Sequence, residues 1–514
     1  MQTILASRAI AVAPHAQAAQ SALAVLREGG NALEAMIAAA ATIAVVYPHM
    51  NAIGGDGFWV INGPRGVPGG IDASGRSARA ASREWYAARG LGQGLSAASI
   101  PFRGPLAALT VAGTVSGWGA AYQLSRQSLG GRLPLARLLE DAIYLAREGA
   151  PVTRSQSALT AAKQAELQGV AGFSETFLVR RHNEAHAPAV GSLFRQPRLA
   201  DTLSRIAREG TETFYRGGLA RQMAAELAAL GSPLALSDLQ AHQARLVDPL
   251  QLQVGDARIC NMVPPSQGVV SLMILGLMQR MLARTDWRSE GPEGAAFIHA
   301  QVEATKLAFR VRDAHVTDPA FMKLDARELL TAARLDALAT AFDPARAAPW
   351  GRRTEPGDTI WMGVIDRNGI AVSFIQSIYH EFGSGVVLPE TGVNWQNRGC
   401  SFSLDPAHIN TLEPGKKPFH TLNPAMAQFA DGSAMVYGTM GGDGQPQTQA
   451  TLFTRVRQFG DDPQTAISRP RWLLGRTWGN ASDSLKLESR FDPAVIAQLR
   501  ARGHEVETLG PWDE

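Results

Sequence analysis

Two apolar runs, "TIWMGVI" and "IAVSFIQS", flank the turn "DRNG" between Thr359 and Ser377. Runs rich in apolar, β-branched and aromatic residues on either side of such a turn read as an antiparallel hairpin. This feature constrains the fold most, because a hairpin commits two strands and their register in one local step. It follows "ARAAPWGRRTEPGD", a Pro/Gly/Arg-rich linker expected to be exposed and mobile. A hairpin has no structural need for a threonine at its mouth, so the pair Asp358-Thr359 asks for another explanation.

The rest of the chain places this hairpin in a mixed architecture. Residues 18–46 repeat apolar side chains at helical spacing, broken by "REGGN" at 27–31. Gly29-Gly30-Asn31 reads as a C-cap followed by an N-cap, which predicts two helices. "FWVI" reads as a short buried strand entered through the tight glycine turn "GGDG". Residues 135–235 alternate helical patterns with polar connections. "AAFIHAQVEATKLAFRVRDAHVTDP" predicts an amphipathic helix ending before Pro319. From Thr359 onward strands and turns dominate, with "AMAQFADGSAMVYGTMGG" and then a helix at about 448–459. Residues 396–421 are rich in Gly, Pro, Ser and Asn and read as a long loop of the kind that carries function. There is no internal repeat.

Composition narrows the class. Of 514 residues, 45% are hydrophobic and 18% charged, enough to bury a sizeable core and too apolar for disorder. Length alone allows two or three domains or one large sandwich. The 49 basic and 46 acidic residues leave a net charge of +3, with no dense Lys/Arg run, which argues against nucleic acid as a partner. Cys260 and Cys400 are too few for a disulfide framework. The longest apolar stretch, residues 35–48, is too short to span a bilayer. The first twenty residues lack a basic segment followed by a long apolar one, whereas a secreted relative would be expected to carry a leader. We therefore expect a soluble, cytoplasmic protein with no membrane partner.

Several common chemistries leave no trace. GxSxG, Walker A, GxGxxG and HExxH are absent. The eleven histidines show no metal-ligand spacing, so neither a metal nor another cofactor is expected. "GGDG" occurs at 54–57 and 441–444, but neither copy precedes GK[ST], so no phosphate cradle is indicated. Hydroxyl nucleophiles remain. A threonine inside a chain is a weak one. A threonine whose own backbone nitrogen is freed as an amine carries its general base with it. Such an amine titrates at about 7.7–8.0, close to working pH. This chemistry requires cleavage of the bond between Asp358 and Thr359. A strand start after a flexible linker suits it: the linker end can leave, while the strand holds the new terminus. A threonine at a strand start is otherwise ordinary, and the residues that follow decide.

"GDTIWMGVIDRNGIAVSFIQSIYHEFGSG" resembles the maturation site of γ-glutamyltranspeptidase-like N-terminal nucleophile hydrolases. That site reads roughly Thr, then V-V/I-D-x-x-G-x-A-V-S, then F-G-S/T-G. Nearly the whole chain shares the likeness. "GGNALEAMIAAAATIAVVYPHMNAIGGDGFWVI", "LTVAGTVSGW", "VPPSQGVVSLMIL", "VEATKLAFRVRD" and "PFHTLNPAMAQFADGSAMVYGTMGG" each resemble a family segment, with Ala112 in place of a proline. The resemblance implies an α+β fold, a four-layer αββα sandwich made as one proenzyme. Autocleavage would give a large subunit, residues 1–358, and a small subunit, residues 359–514, that together form a single domain. Thr359 would be the nucleophile in both processing and catalysis. Ser377 would be the second hydroxyl that hydrogen-bonds it, and the amides of Gly441 and Gly442 the oxyanion hole. A homo-oligomer of the two-subunit unit stays open.

The departures bear on the substrate. Where the glutamyl enzymes grip an α-carboxylate with arginine, this chain has Ser74, with Arg76 two residues on. Where they hold an α-amino group with aspartate, it has Ser401. The family's Ser-Ser pair is His420-Thr421, and its asparagine after the second hydroxyl is Tyr379. An ammonium here would lack an anionic partner, and an unpaired buried charge is costly. Arg76, His420 and Arg398 are the candidate anion holders, although Arg398 also reads as a solvated loop residue. "QNRGCSFSLDP", "PGKKPFHTLNP", "GTMGGDGQPQTQA" and "PRWLLGRTWG" are most similar to the subgroup containing oxamate amidohydrolases of purine and allantoin breakdown. That resemblance implies hydrolysis of a small anionic amide, oxamate, to oxalate and ammonia. The alternatives are a γ-glutamyl hydrolase or transferase, a β-lactam side-chain acylase, and, from another class, an unprocessed scaffold. The chain ends at "LGPWDE", where the family pattern continues into a further Gly-His segment.

Overall fold

The structure, a computed structural model, describes every residue except 1, 64–65, 67, 92–98, 183, 284–286, 351–357, 476–481 and 514. Half of the expected mobile linker before Thr359, residues 351–357, therefore lies outside the described residues. The first helical run breaks where its glycines and asparagine predict. Helix α1 (Ala16–Arg27) ends ahead of Gly29, whose φ is 88°. Helix α2 (Ala32–Val46) starts at Asn31, whose side chain accepts from the Leu33 and Glu34 amides while Glu34 accepts from the Asn31 amide. The other helices that bear on the site are α3 (Thr114–Ser128), α4 (Gly268–Leu282), α5 (Ala295–His315) and α6 (Gly444–Gln458). The strands of the two larger sheets are, in chain order, β1 (Ile10–Val12), β2 (Asp56–Asn62), β3 (Pro68–Ala73), β4 (Arg245–Val247), β5 (Leu250–Val254), β6 (Ala257–Asn261), β7 (Asp358–Ile365), β8 (Ala371–Tyr379), β9 (Ala425–Phe429) and β10 (Ala434–Tyr437).

One compact unit comprises Arg8–Asp248 and Asp358–His420. Its sheet runs β1-β7-β8-β2-β3-β4, antiparallel throughout, with the predicted hairpin β7–β8 inside it. Asp366 closes the hairpin turn by accepting from the Asn368 and Ile370 amides. The strand pleat sorts side chains onto two faces. Trp59 and Phe374 are register partners and lie on one face with their rings 4.2 Å apart. Gln376, on that same face, donates to Asn51 just beyond α2 at 2.8 Å. The alanine-rich α2, buried along its whole length, lies against β7 and β8, and α3 lies against β2 and β3. The other face carries Asp56, Phe58, Asp72, Ser373 and Ser377. One face is thus a helix-covered apolar core, and the opposite face supplies polar groups.

The sheet also explains how a cut chain would stay together. Strands β7 and β8, from the expected small subunit, sit between β1 and β2 of the expected large one. Scission before Thr359 leaves both pieces joined by ladders on either side of the hairpin. The predicted long loop at 396–421 contains a 3₁₀ turn, Arg398–Ser401, and many of its side chains are buried.

The second unit comprises Met1–Ser7, Pro249–Gly357 and Thr421–Glu514. It holds the antiparallel sheet β10-β9-β6-β5, with α4 against β5 and β6. The expected amphipathic helix is α5, and its burial differs from the expectation. It is enclosed on nearly every side, and its charged pair Glu303 and Lys306 is buried at 2.7 Å. Its Ala295, Ile298 and Val302 join a core with Trp472, Leu485, Leu487 and Leu499 from the C-terminal segment. No helix among the described residues is long and apolar enough to cross a membrane.

Candidate active site

Thr359 is the second residue of β7 and is fully buried. Asp358 pairs with Tyr379 and Ile360 with Gln376, so Ser377 and Ile378 together oppose Thr359. This two-against-one count is a β-bulge at the mouth of the hairpin. Ser377 in turn stands opposite Asp56 on β2. Thr359, Ser377 and Asp56 therefore fall in a row on one face of three neighbouring strands, which in any sheet run about 4.8 Å apart. Gly55 lets β2 approach closely, since a Cβ there would collide with the Ser377 carbonyl.

Two residues along β8 from Ser377 the backbone is strained. Tyr379 has φ 82°, in the left-handed region that is unfavourable for a non-glycine residue. Its amide donates to Ser377 Oγ at 2.8 Å. The Arg398 guanidinium lies 3.7 Å from the centre of the Tyr379 ring. Arg398 is 1% exposed, so it is not the solvated loop residue that the sequence allowed. Burial pulls its pKa down to about 10, against the opposing pull of Tyr379 and Asp56, and it stays cationic at neutral pH. The nearby Ser401 hydroxyl is oriented by the carbonyls of Arg398 and Phe419, at 3.0 and 3.1 Å.

Asp56 was not anticipated as a site residue. Its Oδ1 accepts from the amides of Gly75 and Gly113, both at 3.0 Å. Its Oδ2 lies 3.3 Å from His420 Nε2. Phe58, two residues along β2, meets the His420 ring edge-on at 5.1 Å. His420 is fully buried, and burial, reinforced by Arg398, lowers its pKa to about 4 despite Asp56. At neutral pH the ring is uncharged, so it offers hydrogen bonds and not the charge of an anion holder.

Arg76 lies across the next turn. Its Nη1 donates to the Gly415 carbonyl at 2.9 Å. With Ser74, His242 and Lys417 it lines a cavity of about 210 Å³. Ser74 donates to Asp72 Oδ1 at 2.5 Å, and Lys417 Nζ lies 2.6 Å from Asp72 Oδ2. Burial pushes Asp72 up, but the charge and hydrogen bond of Lys417 and the Ser74 contacts outweigh it and hold the carboxyl below its ordinary value.

In the second unit Gly441 and Gly442 form a left-handed turn, with φ of 101° and 50°. The Gly441 carbonyl accepts from the Gly444 amide at 2.7 Å, at the start of α6. Gln267 fixes the turn. Its amide nitrogen donates to the carbonyls of Thr421 and Gly442, each at 2.9 Å. Arg312 on α5 donates to Gln267 Oε1 at 2.7 Å and to both oxygens of Asp443, at 2.6 and 3.1 Å. The turn glycines and Thr421 thus share one buried scaffold. Sequence reasoning missed Gln267, Arg312 and Asp443, although Gln267 follows the quoted "VPPS" and Asp443 stands in the second "GGDG".

The fold also gathers His299, Glu303 and His504, which sequence spacing could not foresee. Their polar atoms are engaged with one another and with the backbone. The two rings meet at 2.7 Å, His299 Nε2 meets the Asp343 carbonyl at 2.8 Å, and Glu303 takes Lys306 and the Ala348 amide.

Comparison with known proteins identifies the family and the fold. Among curated relatives, the chain is 57% identical over 510 residues to the oxamate amidohydrolase proenzyme of Klebsiella pneumoniae subsp. pneumoniae, covering 99% of this chain and 93% of that one. It is 38% identical over 517 residues to the glutathione hydrolase-like YwrD proenzyme of Bacillus subtilis, covering 100% and 94%. Its fold matches the crystal structure of cephalosporin acylase from Bacillus halodurans with a TM-score of 0.88 at 31% identity, over 99% of this chain and 90% of that one. That match bears out the expected N-terminal nucleophile hydrolase fold. Residues 18–512 match the family model for gamma-glutamyltranspeptidase, and the chain belongs to that family.

Proposed function

We propose that this protein is an amidohydrolase that cleaves oxamate to oxalate and ammonia after self-processing at Thr359. The observation that carries this reading is the buried Arg398 guanidinium stacked on Tyr379, the strained last residue of β8, two positions from Ser377. A fixed buried cation suits a small carboxylate. The neighbouring carboxylates are poorly placed to hold an ammonium. Asp56 holds two backbone amides with one oxygen and has the His420 ring 3.3 Å from the other, and Asp72 is taken by Lys417 and Ser74. The 57% identity to a relative named for this activity supports the same substrate.

In the proposed cycle, the freed amine of Thr359 takes the proton of its own Oγ, which attacks the amide carbon. The amides of Gly441 and Gly442, assigned by the family pattern, stabilise the oxyanion, an effect worth about 3 kcal/mol per donor in comparable sites. The Thr359 ammonium protonates the departing nitrogen, ammonia leaves, and an oxalyl ester remains on Oγ. Water then attacks by the reverse proton path and releases oxalate. The large subunit is residues 1–358 and the small subunit 359–514. In the cell, this reading places the protein in the cytoplasm, in purine or allantoin breakdown.

Ammonia release from oxamate, measured beside p-nitroaniline release from γ-glutamyl-p-nitroanilide, tests the proposal. We expect turnover of the first and negligible turnover of the second; the reverse result would make the protein a glutamyl hydrolase.

A further inference from the structure

We propose that Asp56 orients His420 so that its ring accepts a hydrogen bond from the substrate's amide nitrogen, which makes the pair the source of selectivity for a primary amide. The inference rests on the functional reading above and adds a contact which that reading lacks. A small anionic amide presents a carboxylate, a carbonyl oxygen and two N–H groups. Arg398 and the glycine amides answer the first two, and the N–H groups still need an acceptor.

Electrostatics favours one arrangement of protons for the pair. Asp56 Oδ2 lies 3.3 Å from His420 Nε2, and an ionised carboxylate can only accept. A lone pair on Nε2 would face the carboxylate's charge, so the hydrogen of the neutral ring sits on Nε2 and Nδ1 keeps its lone pair. Among the described residues neither nitrogen of the buried ring, nor Asp56 Oδ2, makes a hydrogen bond; Nε2 faces the carboxylate at 3.3 Å, and Nδ1 stays unpaired. A buried acceptor without a donor is costly, so a ligand that supplies one gains affinity there. The carboxylate cannot swing away, because the Gly75 and Gly113 amides hold its other oxygen. Phe58 walls the ring edge-on. Asp56 is also the register partner of Ser377, which puts the pair beside the nucleophile row. In this scheme Asp56 is a positioning residue and His420 touches substrate.

Monoethyl oxalate keeps the carboxylate and carbonyl of oxamate but has no N–H. The test compares kcat/KM for oxamate and for this ester in the processed enzyme and in Asp56→Asn. The asparagine amide donates to Nε2 and drives the ring hydrogen to Nδ1, turning the acceptor into a donor. The amide-to-ester ratio should fall at least about tenfold. Parallel loss on both substrates, or no loss on either, overturns the inference and leaves the functional reading intact. A wild-type enzyme that releases no ammonia from oxamate overturns the reading, and this inference with it. Should Asp56→Asn fail to fold or process, nitrogen-15 NMR of histidine-labelled wild type decides. With His420 identified by its absence in His420→Gln, a hydrogen on Nε2 and a bare Nδ1 support the assignment, and a hydrogen on Nδ1 overturns it.

Discussion

Asp358 and Tyr379 pair across the β7–β8 hairpin one residue short of Thr359, and the register slips immediately after them. The slip takes Thr359 out of regular pairing while the strand on its C-terminal side stays locked. That arrangement suits a bond that breaks and a new terminus that stays put. Wild-type protein should run as two bands on a denaturing gel, and Thr359→Ala as one band near 54.8 kDa. The variant should lose at least about 10³-fold in activity, because both the attacking oxygen and the processed terminus are gone. Intact, fully active wild-type chain on mass spectrometry would refute the mechanism.

Arg398 is buried against Tyr379, and a lysine cannot reproduce its flat, forked cation. Arg398→Lys should raise KM for oxamate about tenfold with a smaller change in kcat. Arg398→Met should cost about 2–4 kcal/mol of transition-state binding, read from kcat/KM. Inhibition by oxalate should weaken in parallel, since oxalate offers the same carboxylate. Unchanged oxalate inhibition in a folded Arg398→Met would remove Arg398 from the binding site.

The hairpin and the two N-terminal helices were legible because each is set by local signals, turn residues, caps and alternation along a strand, while Thr359 and Ser377 were singled out with the help of the family resemblance. Asp56 and Asp443 were not, although both stand in the "GGDG" sequences. Read locally, those sequences are glycine turns. Their aspartates acquire roles from partners far along the chain, Gly113 and His420 for Asp56 and Arg312 for Asp443. The burial of Arg398 escaped for the same reason. A polar loop composition says nothing of what folds over it. Helix α5 was read as amphipathic because its charged residues look solvated until the fold pairs Glu303 with Lys306.

Buried neutral histidines should make the protein acid-sensitive. Burial lowers His49, His380 and His504 to about 3, and His242 and His420 to about 4, from an ordinary value of 6.5. As pH falls below 6.5, these rings take up protons in the unfolded chain and resist them in the folded one. Acid therefore favours unfolding. Their contribution is fully present above about pH 6.5 and drains away as pH falls toward 4 and then 3. His49 is the clearest test. Neither of its ring nitrogens has a hydrogen-bond partner among the described residues, and it packs 4.2 Å from Tyr47. At pH 5, His49→Phe should recover about 2 kcal/mol relative to its effect at pH 8. Denaturant unfolding at the two pH values checks this, and an equal effect at both would contradict it.

The Gly441-Gly442 turn is held by a chain of buried hydrogen bonds that begins at Arg312 and passes through Gln267. If those glycine amides bind the oxyanion, loosening the turn should slow chemistry more than it weakens binding. Gln267→Met removes two donors from the Thr421 and Gly442 carbonyls with little change in volume. It should lower kcat about 10- to 100-fold while KM for oxamate moves less than about threefold. Arg312→Met acts one step further back and leaves Asp443 buried without its bidentate partner, which should cost about 3–5 kcal/mol of stability. Arg312→Met with Asp443→Asn should recover part of that loss, because the stranded charge is then gone. Steady-state kinetics on Gln267→Met, with denaturant unfolding of the Arg312 and Asp443 variants, separates the two roles. A Gln267→Met enzyme that loses only KM would mean that this turn grips the substrate and does not stabilise its oxyanion.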